Sequence, residues 1–159
     1  MKSVVGRGST FRIFFPAAAP AVPSSTALKE KESRGGSETI LLVEDEAAVR
    51  KSASLLLRRS GYQVVEANNG IEALIKWDEL QGRVDLLLTD MVMPERMTGL
   101  EVAEILQQRK SDLKVIIWSG YTVDAERQRV AAKRGMVYLS KPVKPAELLT
   151  GIRQCLDKT

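Results

Sequence analysis

The chain has 159 residues, of which 44% are hydrophobic and 28% are charged, which is enough for one ordinary globular core. It contains no histidine and one cysteine, so an intramolecular disulfide and a zinc site built on histidines or a cysteine cluster are excluded. The net charge is +4, and residues 1–38 hold +3 of it. The remainder is nearly neutral, so its composition gives no case for nucleic-acid binding.

No apolar run approaches the ~18 to 20 residues that a membrane-spanning helix needs. The first 21 residues have a cationic start and an apolar stretch, as a secretion signal has, but Gly6, Gly8, Arg12, Pro16 and Pro20 interrupt that stretch. A cytoplasmic protein is therefore predicted. Residues 17–38 are rich in proline, alanine, serine and charged residues, which predicts a flexible linker.

From residue 39 onward, short apolar segments alternate with segments of helical period. The segments of strand length are Ile40–Val43, Val64–Val65, Val84–Leu88, Val115–Trp118 and Met136–Leu139. The helical segments that follow them are Ala47–Arg59, Ile71–Leu80, Leu100–Leu106, Ala125–Lys133 and Pro145–Leu156. Continuous apolar strands are typical of a parallel sheet that is buried on both faces. The sequence therefore predicts a doubly wound α/β fold with a five-stranded parallel sheet.

Polar side chains follow the predicted strands, at the edge where such sheets place their functional sites. Glu44 and Asp45 follow the first strand, Asp90 the third, Ser119 the fourth and Lys141 the fifth. Taken singly, Asp and Ser are common helix caps and turn residues, but together these residues predict a site. Clustered carboxylates repel each other and attract a hard cation with a preference for oxygen, which predicts Mg²⁺.

The residue types also suit phosphoryl transfer. Lys141 can neutralise phosphoryl oxygens, Ser119 can donate a hydrogen bond, and one carboxylate is left as a nucleophile. Carboxylate attack on phosphorus gives an aspartyl phosphate. Asp90 is the candidate nucleophile, because it ends the strand that is expected to lie centrally in the sheet.

Four segments carry a resemblance to a known family, namely Leu41–Glu46, Leu88–Pro94, Trp118–Tyr121 and Tyr138–Pro142. Through these segments, the chain from residue 39 to about residue 157 closely resembles the receiver domain of bacterial two-component response regulators. The resemblance implies a flavodoxin-like (βα)5 fold with strand order 2-1-3-4-5. It also implies a phosphorelay function in signal transduction.

The resemblance assigns a role to each site residue. Asp90 would accept a phosphoryl group from a phosphohistidine on a sensor histidine kinase or histidine phosphotransfer protein. Asp45, Asp90 and the backbone carbonyl of Val92 would bind Mg²⁺ or Mn²⁺ directly, with Glu44 acting through water. Ser119 and Lys141 would hold the phosphoryl oxygens.

The resemblance also implies how the signal leaves the domain. Tyr138 matches the aromatic residue whose rotation, together with Ser119, signals phosphorylation, and the Lys141–Pro142 bond is often cis in the family. The output surface would be formed by the fourth helix, the fifth strand and the fifth helix, and would contact a downstream protein. No helix-turn-helix follows, so direct DNA binding is not expected, and a homodimer is left open.

Two features indicate a hybrid-kinase lineage. The loop Met91–Thr98 is one residue longer than in the commonest receivers and, like Ser119–Thr122, resembles receivers attached to hybrid sensor kinases. Val5–Pro16 resembles the last glycine box and final strand of a histidine-kinase ATP-binding domain. Residues 1–16 are therefore predicted to be a remnant of that domain, 17–38 a linker and 39–159 the receiver domain. With the rest of the kinase domain missing from the sequence, neither ATP binding nor kinase activity is expected.

Other functions fit the residues less well. A flavin or nucleotide binder of the same fold needs glycines and hydroxyls where this chain has Glu44–Glu46. A haloacid-dehalogenase-type phosphatase places a second aspartate where this chain has Val92. A receiver-fold interaction module that works without phosphorylation stays open, although all five site positions carry residues compatible with the family.

Overall fold

The computed structural model describes residues 2–4, 6, 8–10, 12, 35–93, 97–120 and 135–158. The chain divides into two compact units, Met1–Glu30 and Lys31–Thr159. In the first unit, β1 (Lys2–Val4) and β2 (Gly8–Thr10) pair as an antiparallel two-stranded sheet.

The second unit contains a five-stranded parallel sheet. Its strands are β3 (Thr39–Val43), β4 (Gln63–Ala67), β5 (Leu86–Asp90), β6 (Lys114–Ser119) and β7 (Val137–Ser140). They lie in the order β4-β3-β5-β6-β7, which confirms the predicted order 2-1-3-4-5 and places β5 at the centre. The described helices are α1 (Ala47–Arg59), α2 (Gly70–Glu79), α3 (Gly99–Arg109) and α4 (Pro145–Leu156).

The predicted helix bounds are confirmed for α1 and α4, whereas other boundaries differ. Helix α2 begins one residue earlier than predicted, because the Asn69 side chain caps it by accepting a hydrogen bond from the Glu72 amide at 2.8 Å. The segment predicted as a helix at Ala125–Lys133 lies outside the described residues.

The predicted strand Val84–Leu88 is wrong at both ends, because β5 covers Leu86–Asp90. The fifth strand begins at Val137 rather than Met136. Val84 and Met136 are buried just before their strands, so their apolar character reflects the core and not the ladder.

The sheet separates two apolar layers because side chains alternate between its faces along each strand. The α1–α4 layer includes Ile40, Leu42, Leu86, Leu88, Ile116 and Trp118. The α2–α3 layer includes Leu41, Val43, Leu87, Val115, Ile117 and Trp77. Burial on both faces is what the continuous apolar strands predicted.

The cysteine and three of the methionines lie in or against these layers. Cys155 is buried in the α1–α4 layer, where it makes a small apolar contact. Met91 and Met93 are buried in the α2–α3 layer, and Met97 packs against it, so these methionines fill gaps after β5. In the described ranges, every helix is too short or too polar to cross a lipid bilayer.

Candidate functional site

Three carboxylates meet at the carboxyl ends of β3 and β5. Glu44 and Asp45 follow β3, and Asp90 ends the neighbouring β5, where the strand register pairs Val43 with Thr89. One oxygen from each carboxylate lies within 4.8 Å of the others. Glu44 is only 1% exposed, whereas Asp45 is exposed. We refer to Glu44, Asp45 and Asp90 as the acidic cluster.

Lys141 brings a positive charge into this cluster from the end of β7. Its Nζ donates hydrogen bonds to Glu44 Oε2 at 2.6 Å and to Asp90 Oδ2 at 2.7 Å. The same atom lies 4.6 Å from the centroid of the Trp118 ring, a cation–π contact. The Lys141 amide donates to the Ser119 carbonyl at 2.8 Å, which joins the ends of β6 and β7. The Lys141–Pro142 peptide bond is cis.

Burial and charge shift the ionisation of these groups. Burial raises the pKa of Glu44, the Asp90 and Asp45 carboxylates raise it further, and Lys141 offsets only part of this. Burial alone would lower the pKa of Lys141, but its hydrogen bonds with Asp90 and Glu44 outweigh that effect and raise it. Lys141 therefore stays protonated at neutral pH and balances part of the negative charge.

The backbone around Asp90 is held by short contacts. The Val92 amide donates to Asp90 Oδ1 at 3.2 Å, and the Thr89 hydroxyl donates to the Asp90 carbonyl at 3.0 Å. Ser119 ends β6, the strand next to Asp90, and is 2% exposed. Helix α3 begins beside this point, since the Gly99 amide donates to the Met91 carbonyl at 3.1 Å.

The donor set fits a hard divalent cation. All three side chains of the acidic cluster offer carboxylate oxygens, the ligand type that Mg²⁺ takes in proteins. Lys141 supplies one positive charge against three acids, so the cluster keeps a demand for further positive charge. Asp45 and Asp90 are reachable from solvent at this edge of the sheet.

Residues 40–153 match the family described as response regulator receiver domain. The chain belongs to the receiver domain family. The match covers the parallel sheet and all residues of the acidic cluster together with Lys141. The family and the fold expected from the sequence are thereby confirmed.

The receiver domain has relatives among sensor kinases. Over 164 aligned residues the whole chain is 38% identical to sensor kinase CckA of Brucella abortus (strain 2308), and the alignment covers 98% of this chain and 17% of that kinase. The chain therefore spans less than a fifth of this relative.

Solved structures of receiver domains share the fold. The receiver domain of hybrid histidine kinase CckA is 36% identical with a TM-score of 0.63, covering 75% of this chain and 99% of that chain. Response regulator TrrA of Thermotoga maritima, solved in complex with Mg²⁺-BeF, is 32% identical with a TM-score of 0.65, covering 75% and 99%.

The predicted site residues differ in how directly they contact one another. Glu44, Asp90 and Lys141 are in direct contact, and Asp45 lies beside them. Val92 contacts Asp90 through its amide. Tyr138 lies on β7, three residues before Lys141, and packs against the α2–α3 layer.

Two residues of this receiver domain were not singled out from the sequence. Arg50 in α1 donates to the carbonyls of Glu44 at 2.6 Å and Asp45 at 3.2 Å. A cation in the first turn of a helix interacts unfavourably with the helix dipole. This unfavourable position was the sequence signal that Arg50 has another role. Gly99 packs directly against Asp90, and only the backbone geometry shows this.

Proposed function

We propose that this receiver domain is a phosphoacceptor in two-component signalling and that Asp90 is the residue phosphorylated. The observation that carries the proposal is Lys141 bonded to both Glu44 and Asp90 inside a cluster of three carboxylates. This arrangement joins a nucleophile and a fixed cation at one edge of the sheet.

The phosphoryl transfer is a displacement at phosphorus. An oxygen of the Asp90 carboxylate forms the new bond to phosphorus, and the bond between phosphorus and the donor's imidazole nitrogen breaks. The imidazole, which carries a proton on its other nitrogen, leaves with that electron pair as a neutral histidine, and the product is an acyl phosphate on Asp90. The donor is a phosphohistidine on a sensor histidine kinase or histidine phosphotransfer protein.

The site residues then have distinct tasks. Asp45, Asp90 and the Val92 carbonyl would hold Mg²⁺, or Mn²⁺, with Glu44 acting through water. When bound, the ion would offset the charge of the phosphoryl oxygens. Lys141 already stands beside Asp90 and would pair with one phosphoryl oxygen. Ser119, at the end of the neighbouring strand, would donate its hydroxyl to another.

The output follows from β7. Tyr138 and Ser119 would act as the switch, and the surface around β7, α4 and the predicted helix at 125–133 would contact a downstream protein. Tyr138 shares β7 with the segment that carries Lys141, so a change at the site has a short path to it. The proposed location of the protein is the cytoplasm.

The first 38 residues fit a hybrid-kinase origin. The alignment with the CckA sensor kinase covers 98% of the chain, so it reaches beyond the receiver domain into this segment. We assign residues 1–16 to the end of a histidine-kinase ATP-binding domain, 17–38 to a linker and 39–159 to the receiver. In this assignment, the receiver domain catalyses its own phosphorylation and dephosphorylation.

Acetyl phosphate with Mg²⁺ tests the function, with intact mass as the readout. We expect one phosphoryl adduct on the wild type, none after removal of divalent ions, and none on Asp90→Ala. The exposed Asp112 lies just before β6, at the opposite end of that strand from Ser119, so Asp112→Ala is the matched control and keeps the adduct. A wild type without an adduct, or an adduct that survives Asp90→Ala, sinks the proposal and favours an interaction module that works without phosphorylation.

A further inference from the structure

Arg50 binds the backbone of the segment that carries two of the three cluster carboxylates. Its Nη1 donates to the carbonyl of Glu44 at 2.6 Å and to that of Asp45 at 3.2 Å. Its side chain is 17% exposed, and the bond to the Glu44 carbonyl is partly buried, whereas the bond to the Asp45 carbonyl is exposed. The guanidinium binds the backbone carbonyls of Glu44 and Asp45 and not their carboxylates, so the carboxylate oxygens remain available at the site.

Helix capping does not hold this segment in place. Glu46 is the N-cap residue of α1, and within the described part of the chain its side chain forms no cap. Helices α2 and α3 are instead capped by the side chains of Asn69 and Thr98. The Glu44 amide donates to the Ala67 carbonyl at 3.1 Å, and the Arg50 side chain, reaching back from the first turn of α1, adds a constraint on the Glu44 and Asp45 carbonyls.

Arg50 is itself anchored on the neighbouring strand. Its Nε lies 3.8 Å from Glu66 Oε2, and Glu66 in β4 also accepts a hydrogen bond from the Ser54 hydroxyl at 2.7 Å. The charge of Glu66 partly neutralises Arg50. Without it, a cation behind the acidic cluster would oppose the binding of a metal cation.

We infer that Arg50 is a positioning residue for the divalent metal: its guanidinium fixes the Glu44–Asp45 backbone so that both carboxylates face the ion. The inference rests on the proposed Mg²⁺ site. Groups that orient metal ligands contribute strongly to metal affinity, since ligands that must be ordered on binding reduce it. The hydrogen bonds of Arg50 to the backbone, and not its charge, therefore determine its effect on Mg²⁺ affinity.

The test is Mg²⁺ affinity measured by titration calorimetry without a phosphodonor, with urea unfolding in the presence of chelator as a second readout. We expect Arg50→Ala to weaken Mg²⁺ binding by about tenfold or more. Arg50→Lys keeps the charge but has a single nitrogen, which cannot contact the two carbonyls and Glu66 together as Nη1 and Nε do, so it restores only part of the affinity. Arg50→Gln, which keeps part of the side chain but is uncharged and too short to hold the two carbonyls, weakens Mg²⁺ binding in the same direction and covers the case in which Arg50→Ala does not fold.

Arg58 provides the matched control. It contacts Glu66 at 3.5 Å, and its other hydrogen bonds go to Ser54 and the Val64 carbonyl. Arg58→Ala should lower stability in urea and leave Mg²⁺ affinity unchanged. Equal affinity in Arg50→Ala and wild type, tighter binding in Arg50→Ala, full restoration by Arg50→Lys, or equal weakening by Arg58→Ala overturns the inference alone. A wild type that does not bind Mg²⁺ overturns the metal site of the proposed function as well.

Discussion

Gly99 allows α3 to begin directly against the strand that carries Asp90. A Cβ at this position would collide with the Asp90 carbonyl and lie 2.7 Å from the Thr89 hydroxyl. The Asp90 carbonyl is a backbone atom, so it cannot move without displacing Asp90. The absence of a side chain is thus a condition for the geometry of the acidic cluster.

Gly99→Ala should lower the free energy of unfolding by about 1–3 kcal/mol, because the added methyl overpacks this contact. It should also slow phosphorylation by acetyl phosphate. Urea unfolding and the rate of adduct formation measure the two effects. Gly151→Ala is the control: a Cβ there would lie 3.3 Å or more from the Leu139 side chain, inside α4. That change should leave stability unchanged or raise it by up to about 1 kcal/mol. An equal loss in both variants would contradict the steric explanation.

Among single residues, the sequence predicted the site residues whose chemistry is unusual at the end of a strand. Asp90 and Lys141 were found because a carboxylate and an ammonium follow apolar strands. Arg50 and Gly99 were not found, because their roles depend on the direction of a long side chain and on a backbone approach between elements. Neither property has a local pattern in the chain.

Helix α3 is the element that follows the Asp90 loop, and its start is fixed by a capping box. The Thr98 hydroxyl accepts a hydrogen bond from the Glu101 amide at 3.3 Å, and the Thr98 amide donates to Glu101 Oε2 at 2.7 Å. These bonds satisfy backbone groups that a helix start leaves without partners. The cap therefore stabilises the start of α3.

Thr98→Ala should lower the free energy of unfolding by about 1 kcal/mol, because it removes the acceptor for the Glu101 amide. Urea unfolding followed by circular dichroism measures the loss. Thr98→Ser retains the hydroxyl and should stay within a few tenths of a kcal/mol of the wild type. If serine were as destabilising as alanine, the cap would not be the cause.

Element bounds could be predicted where the chain carries its own start and stop signals. Helix α4 begins at Pro145, and α1 ends just before Gly61, whose φ is +96°. The β5 boundary was missed because Val84 looks like a strand residue. Its carbonyl instead accepts a hydrogen bond from Lys110 Nζ at 2.9 Å, and this contact with the residue after α3 is set by the tertiary structure.

At the scale of the whole receiver domain, Arg153 connects the segment before β3 with the last helix. Its guanidinium pairs with Glu38 at 2.7 Å and with Asp157 at 2.9 Å. Burial alone would raise the pKa of Glu38, but the hydrogen bond and charge of Arg153 outweigh it and lower the pKa. The ion pair therefore favours the folded state while Glu38 is ionised.

The pH dependence follows from that direction. A lowered pKa in the folded state gives stability that is present above the unfolded value of about 4.3 and is lost as the pH falls through the folded value. Glu38→Gln should therefore lower the free energy of unfolding by about 1 kcal/mol near neutral pH. The difference from wild type should shrink below about pH 4, which urea unfolding at several pH values measures. A difference that stays constant into acid would contradict the ion-pair explanation.

The order of the strands in the sheet could be predicted, because continuous apolar strands allow few arrangements and the family resemblance selected one of them. The pairing of Glu38 with Arg153 could not be predicted, because the two residues are far apart in the chain and both are of types that are common at protein surfaces. Long-range ion pairs depend on the finished packing of the first strand against the last helix.

The sheet that divides the two apolar layers also divides the tryptophans. Trp77 lies in the α2–α3 layer and Trp118 in the α1–α4 layer, and both are 4% exposed. Each side of the domain thus carries its own intrinsic fluorophore, one of them stacked beneath the Lys141 ammonium. Replacing either indole by phenylalanine yields a single-emitter protein in which events on one side of the sheet are followed separately from those on the other.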